Sequence, residues 1–445
     1  MRFGVKVYFR KLEISGADNI PATGPIIFAS NHPHSVTDAL LLGLGAGRML
    51  HFVAHSGLFR SRLQARFLRS CGVIPVFRPK DVSEAADLNV ATFSACHRVL
   101  SEGGAIGIFP EGTSAEERRV QKLKTGTARI ALSAEQEAGW RLGVTIVPVG
   151  LNFESRSRFR SRVLLRFGRP LVAAAYRDGY LDDPVATVNR LTCELQDALR
   201  RRVVNVEHVD FLELVHDVET VYKGELLARD GLEIPGDTRF KRDQQVTREI
   251  ARALDYFYER SPDVIWGLSR LMRRYHRMRR MLRLKDELLR TERGPTVRGE
   301  IWRFVAMGAV GLPLAVYGAA GNLIPYKLTG RLADRLAPDL TKVHFCLLVV
   351  GAALFIPWYA ALLYLAFTRL GAWEAVAAAT TSPAAGLFAR EYGRRMRNRR
   401  RLMRLAWLEL VQGYRLQELR QQRRRLIREL DTALDDYLRA REEDA

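Results

Sequence analysis

Cysteine is scarce in this chain, and the motifs of the commonest cofactor sites are missing. Four cysteines occur among 445 residues, far apart at Cys71, Cys96, Cys193 and Cys346. Because no C-x-x-C pair is present, the spacing indicates neither a zinc site nor a disulfide framework, and it suits a reducing compartment. The sequence has no P-loop, no G-x-G-x-x-G fingerprint and no metal-ligand spacing, so we expect neither a bound metal nor a cofactor.

Acidic residues are also in short supply. Asp and Glu number 49 against 70 Lys and Arg, which gives a formal net charge of +21. A basic surplus of this size predicts an anionic partner, either nucleic acid, an acidic membrane surface or a phosphorylated substrate. The position of the charges along the chain helps to choose among the three.

Long apolar runs are confined to the last third of the chain. The first ten residues lack an apolar core and a small-residue cleavage site, so no signal peptide is predicted. Residues 304–325 and 343–367 are apolar and uncharged, and each run is long enough to cross a hydrocarbon core of about 30 Å. They predict two transmembrane helices, and buried helices of a soluble protein are the alternative. Residues 371–389 are interrupted by Glu374 and Pro383, which predicts a re-entrant or interfacial segment.

Arginine-rich segments flank the two runs on both sides, at 270–283 and 390–401. By the positive-inside rule we expect both flanks in the cytoplasm, with the runs forming a hairpin and the N-terminal domain cytoplasmic. Anionic membrane lipid accounts for arginines beside apolar spans, and aromatic interleaving of the kind that binds RNA is absent. We therefore expect a lipid partner and no nucleic acid.

The first 205 residues have a different pattern, in which short apolar runs alternate with segments of helical periodicity. Strand-like runs lie at 25–30, 49–54, 105–109, 144–149 and 162–167, and helical periodicity at 83–102 and 125–136. This alternation predicts an α/β layer fold. The predicted organisation has four parts: an α/β catalytic domain (1–205), a charged helical region (206–300), a membrane hairpin with a short apolar segment (301–389) and a basic amphipathic helical tail (390–445).

The stretch with the clearest chemistry follows the first of the predicted buried strands. Asn31-His32-Pro33-His34-Ser35-Val36-Thr37-Asp38 begins where the run 25–30 ends, and α/β sheets place reactive groups at such strand ends. Histidine is the commonest general base, and a carboxylate beside it fixes its tautomer and stabilises the imidazolium. Taken by itself, the stretch is equally compatible with an ordinary surface loop.

A second stretch of sequence favours the catalytic interpretation over the surface loop. Gly107-Ile108-Phe109-Pro110-Glu111-Gly112-Thr113-Ser114 also runs from a strand into a glycine-containing turn. Together the two blocks resemble those of the glycerolipid acyltransferase (PlsC-like) superfamily, which pairs N-H-x-x-x-x-D with F-P-E-G-T. Two further blocks of that superfamily follow in the expected order, Gly72-Val73-Ile74-Pro75-Val76-Phe77-Arg78 between the first two and Val147-Pro148-Val149-Gly150 after them. The resemblance covers about residues 1–205.

The resemblance implies a mixed central sheet flanked by helices and an O-acyltransferase of phospholipid biosynthesis. A fatty acyl group would pass from acyl-CoA or acyl carrier protein, acting as co-substrate, to a hydroxyl of a phosphorylated glycerol acceptor. That acceptor would be glycerol 3-phosphate, dihydroxyacetone phosphate or lysophosphatidate. His32 would act as the general base and Asp38 as its orienting partner.

The same resemblance implies the residues that bind the substrates. Arg78 is expected to grip the acceptor phosphate, and Lys124 is the best of the secondary cations. Backbone N–H groups around Gly112 and Thr113 are expected to stabilise the thioester oxygen in the transition state. Glu111 would position the acceptor or hold the site together, and a structural salt bridge is an equal alternative for it.

The chain departs from the usual spacing in one place. Five residues separate His32 from Asp38 and three separate His34 from it, where the superfamily has four. A branch that resembles fungal glycerol-phosphate and dihydroxyacetone-phosphate acyltransferases has N-H-P-N-S-x-x-D, which fits His32 and puts Asn where His34 stands. We therefore assign His32 as the base and His34 as its neighbour.

Two interpretations stay beside this one. A non-catalytic or lysophospholipid-remodelling membrane protein that keeps the fold is favoured by the five-residue spacing and opposed by the presence of Arg78, Glu111 and Gly112. A nucleic-acid-binding protein is favoured only by the charge. The amphipathic tail from residue 403 is expected to pair with the helix at 243–292 or with itself, and self-pairing would make the protein a homodimer.

Overall fold

The structure is a computed structural model. It describes residues 8–59, 61–77, 85–114, 118–154, 160–206, 212–228, 238–290, 297–336, 340–369 and 371–443. The chain forms two compact units, the first built mainly from residues before 210 and the second mainly from residues after 244. The domain limits drawn from the sequence stay predictions.

The strands of the first unit form one eight-stranded sheet. They are β1 (Lys11–Ser15), β2 (Ile26–Ser30), β3 (Leu50–His55), β4 (Ile74–Val76), β5 (Ala105–Ile108), β6 (Thr145–Phe153), β7 (Arg162–Phe167) and β8 (Leu171–Val172). The order across the sheet is β1-β7-β6-β2-β5-β3-β4, with β8 paired to β6. β6 runs antiparallel to β7 and β8, whereas the other pairings are parallel. The sheet is therefore mixed.

Helices occupy the connections between the parallel strands. They are α1 (Val36–Gly45), α2 (Arg62–Ser70), α3 (Ala85–Ser101) and α4 (Gly126–Glu137), followed after the sheet by α5 (Arg177–Asp182) and α6 (Pro184–Arg200). Each of the first four joins two strands of the sheet, as parallel pairing requires. The predicted α/β fold, a mixed central sheet flanked by helices, is confirmed.

The core of this unit lies on both faces of the central strands. All five residues of β2 and all four of β5 are buried. On one face, α6 contributes Leu191, Leu195 and Leu199, which are spaced four apart and at most 1% exposed. Strands covered on both faces need apolar side chains at every position, which is why these strands are continuous apolar runs in the sequence.

From residue 212 onwards every element in the described part of the chain is helical. The helices are α7 (Leu212–Leu226), α8 (Arg239–Arg260), α9 (Pro262–Met281), α10 (Val297–Leu336), α11 (Leu340–Arg369), α12 (Ala372–Val411) and α13 (Gly413–Glu443). A single turn of 3₁₀ helix lies at Asp286–Leu288.

A buried ion network joins α7, α9 and α13. Nε of Arg423 in α13 donates to Oδ1 of Asp286 at 3.0 Å, and its Nη2 donates to Oε1 of Glu225 at 2.7 Å. The hydroxyl of Tyr275 in α9 donates to the same Asp286 carboxylate at 2.5 Å. Burial alone would lower the pKa of Arg423, but the hydrogen bonds and charges of Asp286 and Glu225 raise it. The guanidinium therefore stays charged although its side chain is buried.

The tail pairs with earlier helices of the same chain. The ring of Tyr437 in α13 packs against that of Tyr256 in α8, with 5.5 Å between the ring centroids. Arg441 of α13 also forms an ion pair with Glu249 of α8 at 3.5 Å. Of the two pairings expected for the tail, the structure has the one with the helix at 243–292, and the homodimer stays a prediction.

α10 and α12 form the long antiparallel pair of the second unit. Their backbones approach at three glycines of α10: Gly311 lies against Tyr392, Gly318 against Ala385 and Gly321 against Ser382. A side chain at any of these glycines would collide with the facing helix, so small residues permit the contact. Nη1 of Arg399 in α12 is 3.0 Å from Oε2 of Glu300 in α10. The pairing therefore extends beyond the apolar run.

This pairing differs from the arrangement expected from the sequence. Residues 371–389, expected to be re-entrant or interfacial, belong from Ala372 onwards to α12, which continues unbroken to Val411, and their relation to the membrane stays a prediction. From the sequence, the runs 304–325 and 343–367 were expected to form a transmembrane hairpin. In the structure, α11 meets α10 locally, where Trp358 donates to the carbonyl of Gly321 at 2.8 Å. Composition identified the apolar helices but carries no information on which two of them pack along their length.

Two segments in the described part of the chain are long and apolar enough to cross a membrane, Arg298–Leu336 and Cys346–Arg369. Only 11% of the apolar window of the first and 0% of that of the second are buried within the protein. A core helix of a soluble protein would be largely covered by its own chain. The exposure of these helices therefore favours lipid as their environment.

Candidate active site

The two sequence blocks meet at the carboxyl edge of the sheet. β2 and β5 are adjacent and parallel, and Ala29 is in register with Ile108. The residues that follow these strands, His32 on one and Phe109 on the other, therefore leave the sheet side by side. Loops at this edge are where α/β proteins bind their ligands.

His32 and Asp38 face each other directly. Nδ1 of His32 is 3.1 Å from Oδ2 of Asp38. Asp38 lies in the first turn of α1 and is 0% exposed, and the N-terminus of a helix favours a negative charge at that position. The carboxylate holds the tautomer with hydrogen on Nδ1, which leaves Nε2 able to accept a proton. The His32 side chain is 18% exposed, so the ring keeps access to the outside.

A turn at Ser35 accommodates the five-residue spacing. Ser35 immediately precedes α1 and has a φ of 52°, which is rare for a residue with a side chain. The N–H of His34 donates to Oδ2 of Asp38 at 2.6 Å, so one carboxylate oxygen contacts both the His32 ring and the His34 main chain. The longer spacing is therefore compatible with a close His32–Asp38 pair.

The ring of His34 has different surroundings from that of His32. His34 is 3% exposed, and its ring packs edge-on against Phe153 of β6 at a centroid distance of 4.3 Å. This burial fits a packing role for the His34 ring, in keeping with the assignment of His32 as the base.

Phe109 stacks on the His32 ring, a contact that was not predicted from the sequence. The two rings are nearly parallel, with 3.9 Å between centroids and an interplanar angle of 16°. Phe52 of β3 lies parallel to Phe109 at 6.2 Å, and Gly107 provides the space because a Cβ there would lie 2.5 Å from the Phe52 ring. The stacked rings limit rotation of His32. The only available signal was the position of Phe109 at the end of β5.

Glu111 connects the two loops. Its Oε1 accepts the main-chain N–H of His32 at 3.3 Å, and its carboxyl group also accepts the main-chain N–H of Gln121. Glu111 is 6% exposed, and this burial raises its pKa from an ordinary value near 4.5 to about 8. The negative charge of Asp38 adds to the increase, while the two N–H donors oppose it. Its contacts match the expectation that Glu111 helps to hold the site together.

The glycine turn that follows Glu111 is closed by its own main chain. Gly112 has a φ of 70°, and its N–H donates to the carbonyl of Phe109 at 3.0 Å. The amide of Gly112, expected to stabilise the thioester oxygen, is therefore engaged within the turn. Thr113 follows on the exposed surface. The N–H of Lys124 donates to the carbonyl of Pro110 at 2.9 Å, and its ammonium group lies over Gly112.

Asn31 is a second residue whose role was not identified from the sequence. Its Nδ2 donates to the carbonyl of Leu151 at 3.2 Å, and its Oδ1 accepts the N–H of Leu151 at 2.7 Å. This pair of hydrogen bonds ties the start of the His32 loop to β6. The asparagine in the N-H block was the signal, but its partner is 120 residues away.

The remaining candidates are placed as follows. Arg78 lies outside the described residues, although Ile74–Val76 of the same block forms β4. Val147 and Val149 are fully buried in β6, which fits the packing role expected for that block. Within the described residues, the loops after β2 and β5 bring together His32, Asp38, Glu111, Gly112 and Lys124.

The first unit is similar to known acyltransferases. Residues 11–152 match the acyltransferase family. The chain is 33% identical to glycerol-3-phosphate O-acyltransferase 2 of Saccharomyces cerevisiae over 136 residues. The matched region is 30% of this chain and 18% of the yeast protein. The chain is also 30% identical to a 1-acyl-sn-glycerol-3-phosphate acyltransferase of Bacillus subtilis over 132 residues. This matched region is 29% of this chain and 58% of the Bacillus protein.

The similarity is limited to one part of each protein. The chain spans less than two thirds of the length of these relatives. Among solved structures, the PlsC acyltransferase of Thermotoga maritima is similar with a TM-score of 0.33 and 19% identity, over 45% of this chain and 73% of that one.

Proposed function

We propose, from the premise that residues 11–152 belong to the glycerolipid acyltransferase superfamily, that this protein transfers a fatty acyl group to a hydroxyl of a phosphorylated glycerol. The observation that carries the proposal is the His32–Asp38 pair, which lies beside Glu111 at the carboxyl edge of the sheet. The acceptor is glycerol 3-phosphate, dihydroxyacetone phosphate or lysophosphatidate, and the donor is a thioester of coenzyme A or acyl carrier protein.

In the proposed mechanism His32 acts as the general base. Nε2 takes the proton of the acceptor hydroxyl as its oxygen attacks the thioester carbonyl carbon, and Asp38 stabilises the imidazolium. The tetrahedral intermediate then breaks its C–S bond, and the imidazolium returns the proton to the leaving thiolate. The products are an ester and a free thiol, and no covalent enzyme intermediate is needed.

Two cations, Lys124 and Arg78, are proposed to bind the acceptor phosphate. The ammonium of Lys124 over Gly112 supports this role for Lys124, since it lies next to Glu111 and hence to the His32 loop. Arg78 is proposed as the second phosphate ligand because a guanidinium binds two phosphate oxygens at once. Thr113 is proposed to contribute to the oxyanion site, since the amide of Gly112 is engaged.

We also propose that the protein crosses the membrane an even number of times. The Arg423–Asp286 contact joins α13, which follows the apolar helices, to a segment that precedes them. A buried, charged network of this kind keeps both segments in one aqueous compartment. Three helices, α10, α11 and α12, lie between the joined segments, so with two crossings one of the three helices does not cross. The arginine flanks support the cytoplasmic side for both ends and for the catalytic domain.

The packing of α12 along α10 supports these two helices as the crossing pair. Their antiparallel contacts extend from Gly311 to Gly321, through the apolar part of α10. α11 would then begin and end on the far side of the bilayer.

The proposed reaction is tested by acyl transfer with the detergent-solubilised protein. Labelled palmitoyl-CoA and palmitoyl acyl carrier protein are each offered with glycerol 3-phosphate, dihydroxyacetone phosphate and lysophosphatidate in separate assays. We expect a labelled ester with one acceptor, and none from His32→Ala. If no acceptor is esterified although the protein is folded, the reaction assigned here is wrong, and a non-catalytic or lysophospholipid-remodelling role replaces it.

A further inference from the structure

α2 exposes large apolar side chains on the active-site side of the sheet. Leu63 is 79% exposed and Phe67 is 62% exposed, and the two lie one helical turn apart on the same face. Leu58, in the turn that precedes α2, is 39% exposed. Singly exposed apolar residues are common, but three neighbouring ones on a short segment mark an interaction surface.

Three arginines lie beside this apolar face. Arg62, Arg66 and Arg69 are exposed and are spaced four and three residues apart, which places them together on one side of α2. The opposite side carries Ala65 and Leu68, which are half-buried and anchor the helix on the domain. α2 thus has an inner face, an exposed apolar face and a row of positive charges along one edge.

The helix is held in this orientation at its start. The Ser61 side chain accepts the N–H of Gln64 at 3.2 Å, which caps the first turn. The cap and the half-buried anchor are independent of Leu63 and Phe67. The exposure of these two side chains is therefore a property of a formed helix.

We propose that α2 docks the catalytic domain onto an anionic lipid surface, with Leu63 and Phe67 inserted below the headgroups and the arginines at the phosphate level. A helix with an apolar face and adjacent arginines has the composition of interfacial membrane helices. The charge selects anionic lipid, since each arginine near such a surface increases binding by about fivefold. The net charge of +21 acts in the same direction.

The position of α2 connects this surface to the site. α2 follows the carboxyl end of β3, and β3 is parallel to β5, whose carboxyl end leads to Phe109 and Glu111. The docked edge of the sheet is therefore the edge that carries His32. The inference rests on the proposed function in one respect: an enzyme that acts on fatty acyl chains gains from having this edge at the bilayer.

The test uses the full chain in vesicles and a photoreactive residue in place of one exposed side chain. Phe67→p-benzoylphenylalanine probes the docking face. The matched control is Leu181→p-benzoylphenylalanine, because Leu181 is 59% exposed on α5. β8 ends where β6 begins, so α5 leaves the sheet at the opposite edge. Vesicles contain either phosphatidylcholine alone or an equal mixture with phosphatidylglycerol, and lipid adducts are measured by mass spectrometry.

In the anionic vesicles we expect about tenfold more lipid adduct from position 67 than from position 181. Changing Arg62, Arg66 and Arg69 together to Gln, or using phosphatidylcholine alone, is expected to reduce the adduct at position 67 to the level at position 181, because three losses of about fivefold each exceed the tenfold difference. Equal adduct yields at the two positions overturn the proposal, and so do adducts to a second protein chain in place of lipid. Absence of acyl transfer in the same vesicles counts against the proposed reaction and leaves the docking result unaffected.

Discussion

One oxygen of Asp38 lies 3.1 Å from Nδ1 of His32, although five residues separate the two along the chain. The pair predicts a sharp difference between the two neighbouring histidines. His32→Ala removes the base and is expected to lower kcat by about 10³. His34→Ala is expected to retain most of the activity and to destabilise the fold by about 1–3 kcal/mol, because it leaves a cavity beside Phe153. Acyl-transfer rates of both variants measure the change in kcat, and thermal unfolding measures the change in stability. An inactive His34→Ala and an active His32→Ala would reverse the assignment of the base.

Asp38→Asn tests whether the carboxylate acts through the tautomer of His32. The amide is close in shape but carries no charge, so it no longer stabilises the imidazolium or selects hydrogen on Nδ1. We expect kcat to fall by about 10²–10⁴, with little change in KM for the acceptor. Steady-state kinetics with both substrates varied measure the two constants. A variant with a raised KM and unchanged kcat would indicate a role in substrate binding.

The pKa of Glu111 predicts a pH-dependent stability. Its pKa of about 8 in the folded protein lies above the ordinary value, so folding favours the protonated carboxyl group. The contribution of Glu111 to the free energy of unfolding is therefore complete below about pH 4.5 and declines as the pH rises to about 8. Glu111→Gln stays neutral, and its stability relative to the native protein should increase by about 3–4 kcal/mol between about pH 5 and about pH 8.

Thermal unfolding of the Glu111 variant across this pH range measures the change. The matched control is Glu102→Gln, because Glu102 is an exposed carboxylate of the same domain. Parallel stability curves for the native protein and Glu111→Gln would show that Glu111 is ionised throughout.

Arg423 should contribute strongly to the stability of the second unit. Arg423→Met removes the guanidinium that donates to the buried carboxylate of Asp286 and leaves it the longer ion pair with Arg290 at 3.6 Å, which is expected to cost about 3 kcal/mol. Arg424→Met on the same helix is the control, since Arg424 is exposed and its loss should cost less than about 0.5 kcal/mol. Hydrogen exchange in α7 measures the difference, because Glu225 at its end contacts Arg423. Equal protection of α7 in the two variants would contradict the proposed link.

Membrane topology is tested at the start of α12. In a cysteine-free background, Trp373→Cys should react with an impermeant maleimide from the face opposite to the one that labels Glu443→Cys. The reason is that α12 is proposed to cross between these two positions. Both residues are exposed in the protein, so labelling reports the side of the membrane. Labelling of both from the same face would instead support α10 and α11 as the crossing pair.

The strands were predictable because of how they are buried. β2, β5 and β6 are covered on both faces, so they are uninterrupted apolar runs that stand out from the helical segments between them. The order of the strands was not predictable, because it depends on contacts between distant segments. The length of α12 was not predictable for a related reason: Pro383 and Glu374 interrupt its apolar pattern, yet neither ends the helix.

The residues of the candidate site also include some that were predictable from the sequence and some that were not. His32, Asp38 and Glu111 were identifiable because each lies in a short motif with a chemically meaningful residue. Asn31 and Phe109 were not, since their roles come from Leu151 and from the His32 ring, which are distant in sequence. The expected use of the Gly112 amide was also beyond the sequence, because the hydrogen bond to Phe109 depends on the turn geometry.

The sequence by itself determined the local properties of this protein: the α/β alternation, the apolar helices, the basic surplus and the two blocks that carry the reactive residues. These follow from periodicity and composition, which act over a few neighbouring residues. Only the tertiary structure decided that the two blocks meet, that Ser35 turns the chain so that His32 reaches Asp38, and that α10 packs along α12. Such contacts depend on which distant surfaces bury one another, and no local pattern encodes that choice.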